Sequence, residues 1–444
     1  INGLDGPYTQ ILIDSRPVFS ALSGVYGLEQ IPASMIERVE VMRGGGSALF
    51  GSSAIAGTIN IITKEPLRNS GQLSHTITSL GGSSSFDNNT SLNASLVTDD
   101  HRAGLYIFGQ NRYRSGYDYD GDGFTELPKL KNQTVGFRSY LKTSTYSKLT
   151  FEYHHMQEFR RGGDMLNRPP HEAHIAEQLQ HSIDGGSLKF DYFSPDEKNR
   201  LSVFASAANT DRDSYYGPGN DPLKAYGKTT DLTAMGGAQY VHTFDKCFFM
   251  PSDLTAGLEY NRDRLKDNMW GYNRHTDQTV NIYSAFLQNE WKNDRWGILI
   301  GGRLDKHNMV DNVIFSPRAN LRFNPTQNIN LRLSYSSGFR APQAFDEDMH
   351  IENVGGTVAM IERAKDLKEE KSQSFSVSAD MYHRFGAFQT NLLIEGFYTR
   401  LTDVFVLGKP YDRGDGILVK TRSNGPGAKV MGLTLEGKVA YLSI

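Results

Sequence analysis

The chain has 444 residues and a formal net charge of -3, with 38% hydrophobic residues, 11% aromatics and 44 glycines. No run of about 18 apolar residues occurs, which excludes a transmembrane helix, and the interspersed charges give no support to nucleic-acid binding. A single cysteine, Cys247, permits no internal disulfide.

Residues 33–65, ASMIERVEVMRGGGSALFGSSAIAGTINIITKE, read as a helix start leading into a strand at 36–42, a small-residue hinge at 43–56 and a second strand at 57–63. Charges alternate with apolar residues through Glu37, Arg38, Val39, Glu40, Val41, Met42 and Arg43, so one face can pack while the other holds ions. The hinge is nearly all Gly, Ser and Ala, which suits a tight turn pressed against a wall. It is not a phosphate loop: Ser52 stands where the lysine of a P-loop belongs, and Leu49 breaks the dinucleotide spacing.

With residues 8–19, YTQILIDSRPVF, this stretch resembles the C-terminal half of the plug domain of TonB-dependent outer-membrane receptors. That family carries an E-R-V-E-V-x-R-G-x-x-S-A-x-x-G-x-x-A-x-x-G-x-I-N-I-I-T segment, matched here from Glu37 to Thr63 nearly without a gap. The resemblance assigns residues 1–68 to the plug and 69–444 to a transmembrane β-barrel. It also implies residence in the outer membrane of a Gram-negative bacterium.

From Gln72 onward, runs of about ten alternating residues are separated alternately by short and long polar connections, the trace of a transmembrane barrel. On one face of a strand stand Tyr283, Ala285 and Leu287, on the other Ser284, Gln288 and Glu290. The next strand sets Ile298, Ile300 and Leu304 against Arg303 and Asp305. Phe315, Ala319 and Leu321 then oppose Ser316, Arg318 and Arg322, and Leu331 and Leu333 oppose Arg332 and Ser334. A soluble sandwich also alternates, but its core could not bury so many mid-strand charges, whereas a wet or plugged lumen can. The fold class expected is therefore an all-β membrane protein, an antiparallel barrel closed around the C-terminal part of a plug. About sixteen strands can be counted by this alternation. By resemblance such barrels have about 22, so a fragment cut at both ends is expected.

Three loops carry chemistry. In residues 117–126, YDYDGDGFTE, Asp118, Asp120 and Asp122 followed by Gly123 copy the first half of an EF-hand calcium loop. Lys129 stands where the bidentate glutamate belongs, and a solvated acidic turn is the alternative. In residues 169–186, a helix over 172–179 would bring His171, His174, Gln178 and His181 near one face, as a transition-metal set or as solvated histidines. Residues 334–371 contain Phe339-Arg340-Ala341-Pro342, then His350, then Asp366-Leu367. This resembles the F/Y-R-A-P, His and N-P-D-L series of haem receptors, although FRAP-type sequences also occur in siderophore and cobalamin receptors.

The resemblance implies active import of a scarce metal chelate. Outer loops capture the ligand, and the TonB energy-transducing complex pulls on the plug's N-terminal segment. Haem is the first ligand considered, with cobalamin or a ferric siderophore as alternatives. A passive porin or an adhesin barrel is the reading of another class. Arg340 and His350 are the ligand candidates, expected on the outer side above a plug apex at 22–30. Glu37, Arg38, Glu40 and Arg43 are expected to form plug ion pairs with wall charges such as Arg303, Arg318, Arg322 or Arg332. No cofactor is required, calcium in an outer loop is the one candidate ion, and the partners are outer-membrane lipids and, as in Bacteroidetes-type receptors, a surface lipoprotein. No Ser-His-Asp arrangement or paired-carboxylate cleft can be placed, so an enzyme reading has nothing to rest on.

Overall fold

The computed structural model describes residues 1–17, 31–46, 51–52, 54–218, 225–354 and 357–441. The plug apex expected at 22–30 lies outside the described residues.

A small sheet is built first. Strands β1 (Thr9–Ile13), β2 (Arg16–Pro17), β3 (Ile36–Arg43) and β4 (Gly57–Thr63) pair in the order β2-β1-β4-β3. Ile, Val and Leu dominate these segments because β-branched and aliphatic side chains suit a half-buried pleat. Leu12 and Ile61 are buried, whereas Val39 and Val41 are exposed. The helix start expected before β3 is a single 3-10 turn, Ala33–Met35.

The second sheet has 16 strands, the number expected from the alternating segments. They are β5 (Ser70–Ser79), β6 (Phe86–Val97), β7 (Ala103–Arg114), β8 (Lys129–Ser144), β9 (Ser147–Gly163) and β10 (Ile175–Phe193). Then follow β11 (Asn199–Pro218), β12 (Tyr226–Cys247), β13 (Met250–Met269), β14 (Arg274–Lys292), β15 (Trp296–His307), β16 (Ile314–Thr326) and β17 (Ile329–Arg340). Two long loops interrupt the hairpin series and hold β18 (Glu352–Val354), β19 (Thr357–Arg363), β22 (Phe405–Leu407), β23 (Tyr411–Asp412) and β24 (Leu418–Asn424). The barrel strands resume as β20 (Glu370–Phe385), β21 (Phe388–Thr402) and β25 (Ala428–Tyr441). Every neighbouring pair in the large sheet is antiparallel, and β5 and β25 form its two edges among the described residues.

Burial in this sheet is inverted relative to a soluble protein. Leu258, Leu287, Ile300, Phe315 and Val377 are exposed on one side, while Asp231, Asp263, Asp267, Arg303 and Asp305 are buried on the other. An apolar outside and a charged inside is the arrangement that lipid demands of a barrel with a filled lumen. Between those edges the antiparallel ladders pair the mid-strand N–H and C=O groups with each other, as hydrocarbon cannot. Aromatic side chains gather at the short-turn rim: Trp296 stacks on Phe323 with centroids 4.3 Å apart, and Phe249 on Trp291 at 5.6 Å. Amphipathic rings favour that level of a bilayer.

The chain reaches β5 from the plug, so odd-numbered barrel strands rise from the short-turn side. β17 is one of them. Its Arg340 end and the loops beyond it therefore lie on the long-loop side of the sheet, opposite the short turns.

Candidate functional site

The plug touches the wall by close backbone approach, by ions and by one apolar patch, in which Met35 packs on Tyr106 and Phe108 of β7. At Gly45, a Cβ would stand 2.3 Å from the Ser336 hydroxyl of β17, so a larger residue fits only if Ser336 turns away. Gly57 has φ +150°, and a Cβ there would meet the Met42 carbonyl at 2.2 Å. The hinge is glycine-rich for both reasons, conformation and proximity.

The ionic contacts fall partly elsewhere than expected. Arg38 pairs with Glu40 of its own strand at 2.8 Å, and Arg43 reaches wall residue Glu395 at 3.3 Å. Glu37 makes no ion pair among the described residues. Three of the four wall arginines named as partners are engaged within the wall: Arg303 with Glu259 at 2.7 Å and Asp305 at 2.8 Å, Arg332 with Asn330, and Arg322 with backbone carbonyls at the short-turn rim. Arg303 and Asp305, two apart, share a strand face, and this spacing was the sequence signal that they would satisfy each other.

The principal plug-to-wall anchor is Arg138 of β8, which sequence reasoning missed. It pairs with Asp14 at 2.7 Å and Glu65 at 3.0 Å, with wall residue Glu152 at 3.1 Å, and donates to the Thr63 hydroxyl. Asp14 is itself braced by the Thr63 N–H and hydroxyl, at 3.0 and 2.6 Å.

Above the plug, the two long loops fold into one lid. β19 pairs in parallel with β24, β24 also pairs with β22 and β23, and β18 pairs with β19. The lid is seated on the wall by an apolar cluster in which Ile351, Met360 and Ile417 meet Leu179, Tyr215, Met269 and Tyr272. It is also seated by acids of the helical turn Asp346–Met349. Asp346 takes Arg212 of β11 at 2.6 Å, Glu347 takes Arg340 at 2.5 Å and Arg422 of β24 at 3.0 Å, and Asp348 takes Arg422 at 2.8 Å. Buried carboxylates need such partners. Burial pushes the Glu347 carboxyl up, but Arg340 and Arg422 outweigh it and hold it below its ordinary range. For Asp348 burial prevails and raises it.

Arg340 is 4% exposed, so it offers no free guanidinium to a propionate. Its charge lies over the Phe345 ring at 4.2 Å, with Phe405 at 5.4 Å and Tyr8 of the plug at 5.7 Å. The Tyr8 hydroxyl donates to Glu370 at 3.0 Å, and burial, with the Glu370 charge beside it, pushes the Tyr8 phenol up. His350 is half-buried against Tyr216, ring centroids 5.1 Å apart, at the end of the helical turn.

The three loop histidines do not converge. The expected helix at 172–179 is absent because β10 begins at Ile175, leaving only the 3-10 turn Pro170–Glu172. His171 bonds Tyr226, His174 bonds Asp164, and His181 faces Glu158. The acidic loop does converge: carboxylate oxygens of Asp118, Asp120, Asp122 and Glu126 all lie within 4.8 Å of one another. Glu126, four residues beyond Asp122, was overlooked as its fourth member. The loop also braces itself, with Asp118 accepting from the Gly121 and Gly123 N–H groups.

Comparison with known proteins agrees with this geometry. The model for the TonB dependent receptor-like β-barrel matches residues 58–443, and that for the TonB-dependent receptor plug domain matches residues 1–58. The chain is 23% identical to the vitamin B12 transporter BtuB of Vibrio vulnificus over 363 residues, covering 78% of this chain and 54% of that protein. It is 27% identical to an iron-regulated outer membrane virulence protein of Vibrio cholerae over 364 residues, covering 77% and 51%. It thus spans about half the length of the curated relatives it matches. In fold it superposes on the siderophore receptor PirA from Acinetobacter baumannii with a TM-score of 0.80 at 18% identity, over 99% of this chain and 71% of that one. The plug inside a charged lumen, the lipid-facing apolar wall and the family match over 58–443 together establish that the chain belongs to the TonB-dependent receptors of the Gram-negative outer membrane.

Proposed function

We propose that the protein imports a scarce, bulky metal chelate across the outer membrane, with ferric siderophores and cobalamin as the first candidates. The observation that carries this reading is a plug sheet inside the barrel, held to it by a few ionic contacts, glycine approaches and one apolar patch of Met35 on Tyr106 and Phe108, rather than by a continuous apolar seam. Such a plug bars diffusion yet can be shifted by work. A ligand too large and dilute for an open pore must be bound tightly, and its release then requires energy. That energy is supplied through the plug by the TonB complex. The names of the relatives, a vitamin B12 transporter and a siderophore receptor, support the ligand class.

Haem is a second reading, favoured by Phe339-Arg340-Ala341-Pro342 and His350. On this reading His350 would ligate iron through a neutral imidazole, while Arg340 would brace the loop. A calcium ion held by Asp118, Asp120, Asp122 and Glu126 would stiffen the loop between β7 and β8.

Uptake by cells expressing the full-length receptor tests the proposal. Labelled ferric siderophore or cobalamin should accumulate only while the inner membrane is energised, and equal uptake after collapse of the proton gradient would overturn it. A Soret shift on adding haem, lost in His350→Ala, would select the second reading.

A further inference from the structure

We propose that Arg340 is a positioning residue that couples the outer lid to the plug, so that loosening either one loosens the other. The inference uses the receptor reading only for its purpose, because the coupling exists without ligand. Arg340 ends β17 at the outer mouth, and its guanidinium is shared by groups from separate parts of the chain. From the lid come the Glu347 carboxylate at 2.5 Å and the Phe345 ring at 4.2 Å. From the plug comes the Tyr8 ring at 5.7 Å. From the barrel rim comes Glu370, opposite Arg340 in the β17–β20 ladder and fully buried, with its carboxylate 3.8 Å away.

Glu370 is the second half of the device. One of its oxygens accepts both the Tyr8 hydroxyl at 3.0 Å and the Phe405 N–H of the second long loop at 2.5 Å. Its other oxygen is buried and, among the described residues, accepts no hydrogen bond; Arg340 approaches it loosely, at 3.8 Å. The guanidinium is therefore held tightly on the lid side and slackly on the Glu370 side.

When the lid lifts, Glu347 and Phe345 withdraw together, because both belong to the Asp346–Met349 turn and its cap. With Glu347 gone, Glu370 is the carboxylate left beside the guanidinium, at 3.8 Å, so Arg340 closes on the group that holds Tyr8. Movement of the lid thus reaches the plug through one side chain. Thermodynamic coupling of this kind is reciprocal, so removal of the Tyr8 bond must also be felt in the lid. An arginine facing the ligand would show no such cross effect.

Hydrogen exchange on the ligand-free, full-length receptor in nanodiscs reads both directions. Tyr8→Phe removes one hydroxyl and keeps the ring. It should speed exchange of lid residues 341–349 about three- to tenfold, the scale of one ordinary net hydrogen bond, with the barrel strands unchanged. Glu347→Gln should speed exchange of plug residues 6–13 by a similar factor, and the double variant should fall short of the product of the single effects. Tyr260→Phe, which removes a wall hydroxyl bonded to Asn281, serves as the remote control. Cross effects below about 1.5-fold, or effects that multiply independently in the double variant, would overturn the coupling. Because no ligand is used, that failure would leave the transport reading to be judged by its own uptake assay.

Discussion

Replacing Arg138 with methionine should release the plug from one side of the barrel while leaving the barrel intact. The arginine side chain is 13% exposed, and its partners Asp14 and Glu152 are 15% and 19% exposed, so these pairs are largely shielded from water. Removing one member of a buried ion pair costs about 3–5 kcal/mol, because the remaining charge is stranded. Two features reduce that figure. Asp14 keeps its two bonds from Thr63, and Glu65 is 38% exposed and can turn to solvent. A net loss of about 3 kcal/mol follows, equivalent to about a hundredfold rise in the population with an open plug. Hydrogen exchange of β1 and β4 in the full-length receptor measures this directly, since local opening sets the exchange rate. Lys148→Met is the matched control: Lys148 reaches Glu65 at 3.4 Å near solvent, and such a pair is worth about 0–1 kcal/mol. A change below threefold for Arg138→Met, or an equal change for the control, would refute the reasoning.

Gly57→Ala should cost about 1–3 kcal/mol of plug stability, because the positive φ and the Met42 carbonyl leave no place for a Cβ; unchanged exchange of β4 would contradict this. Acid should loosen the lid through Glu347. Its carboxyl is held below the ordinary 4.5, so its contribution is complete above that pH and fades as pH falls through the lower folded-state value. Asp348, raised above 3.8, has the opposite sign and offsets part of the loss. Pepsin cleavage of the lid should therefore rise more steeply from pH 5 to pH 3 in the wild type than in Glu347→Gln, and identical profiles would dismiss the assignment. Calcium should slow exchange in the loop between β7 and β8, and Asp120→Asn with Asp122→Asn should abolish the effect. No response to calcium would leave the four carboxylates as a self-braced turn.

The fold was legible because lipid writes a strong local pattern. Ile300 and Leu304 outside against Arg303 and Asp305 inside can be read from one strand alone, and the β3-hinge-β4 stretch announces itself by glycines between runs of Val and Ile. Local reading fails where contacts span the chain. Tyr8 and Glu370 are 362 residues apart, and Asp14 and Arg138 are 124 apart. Neither pair leaves any spacing to find. Arg340 drew notice through its motif neighbours, but its burial is set by Phe345, Phe405 and Tyr8, of which only Phe345 is near in sequence. The loop histidines misled for a different reason. Pro169 and Pro170 resemble a helix start, yet the cross-strand partners of β10, from Gly163 and Pro218 onward, draw residues after His174 into the sheet. Tertiary pairing there overrides local preference.

The central claim, that the plug bars the lumen until work moves it, is tested most directly by the conductance of the full-length receptor in a planar bilayer. The account predicts no steady ion current from the native protein, and a pore-sized current when urea loosens the plug while the barrel stays folded. A steady ohmic current from the native receptor would contradict it and would make the protein a passive pore.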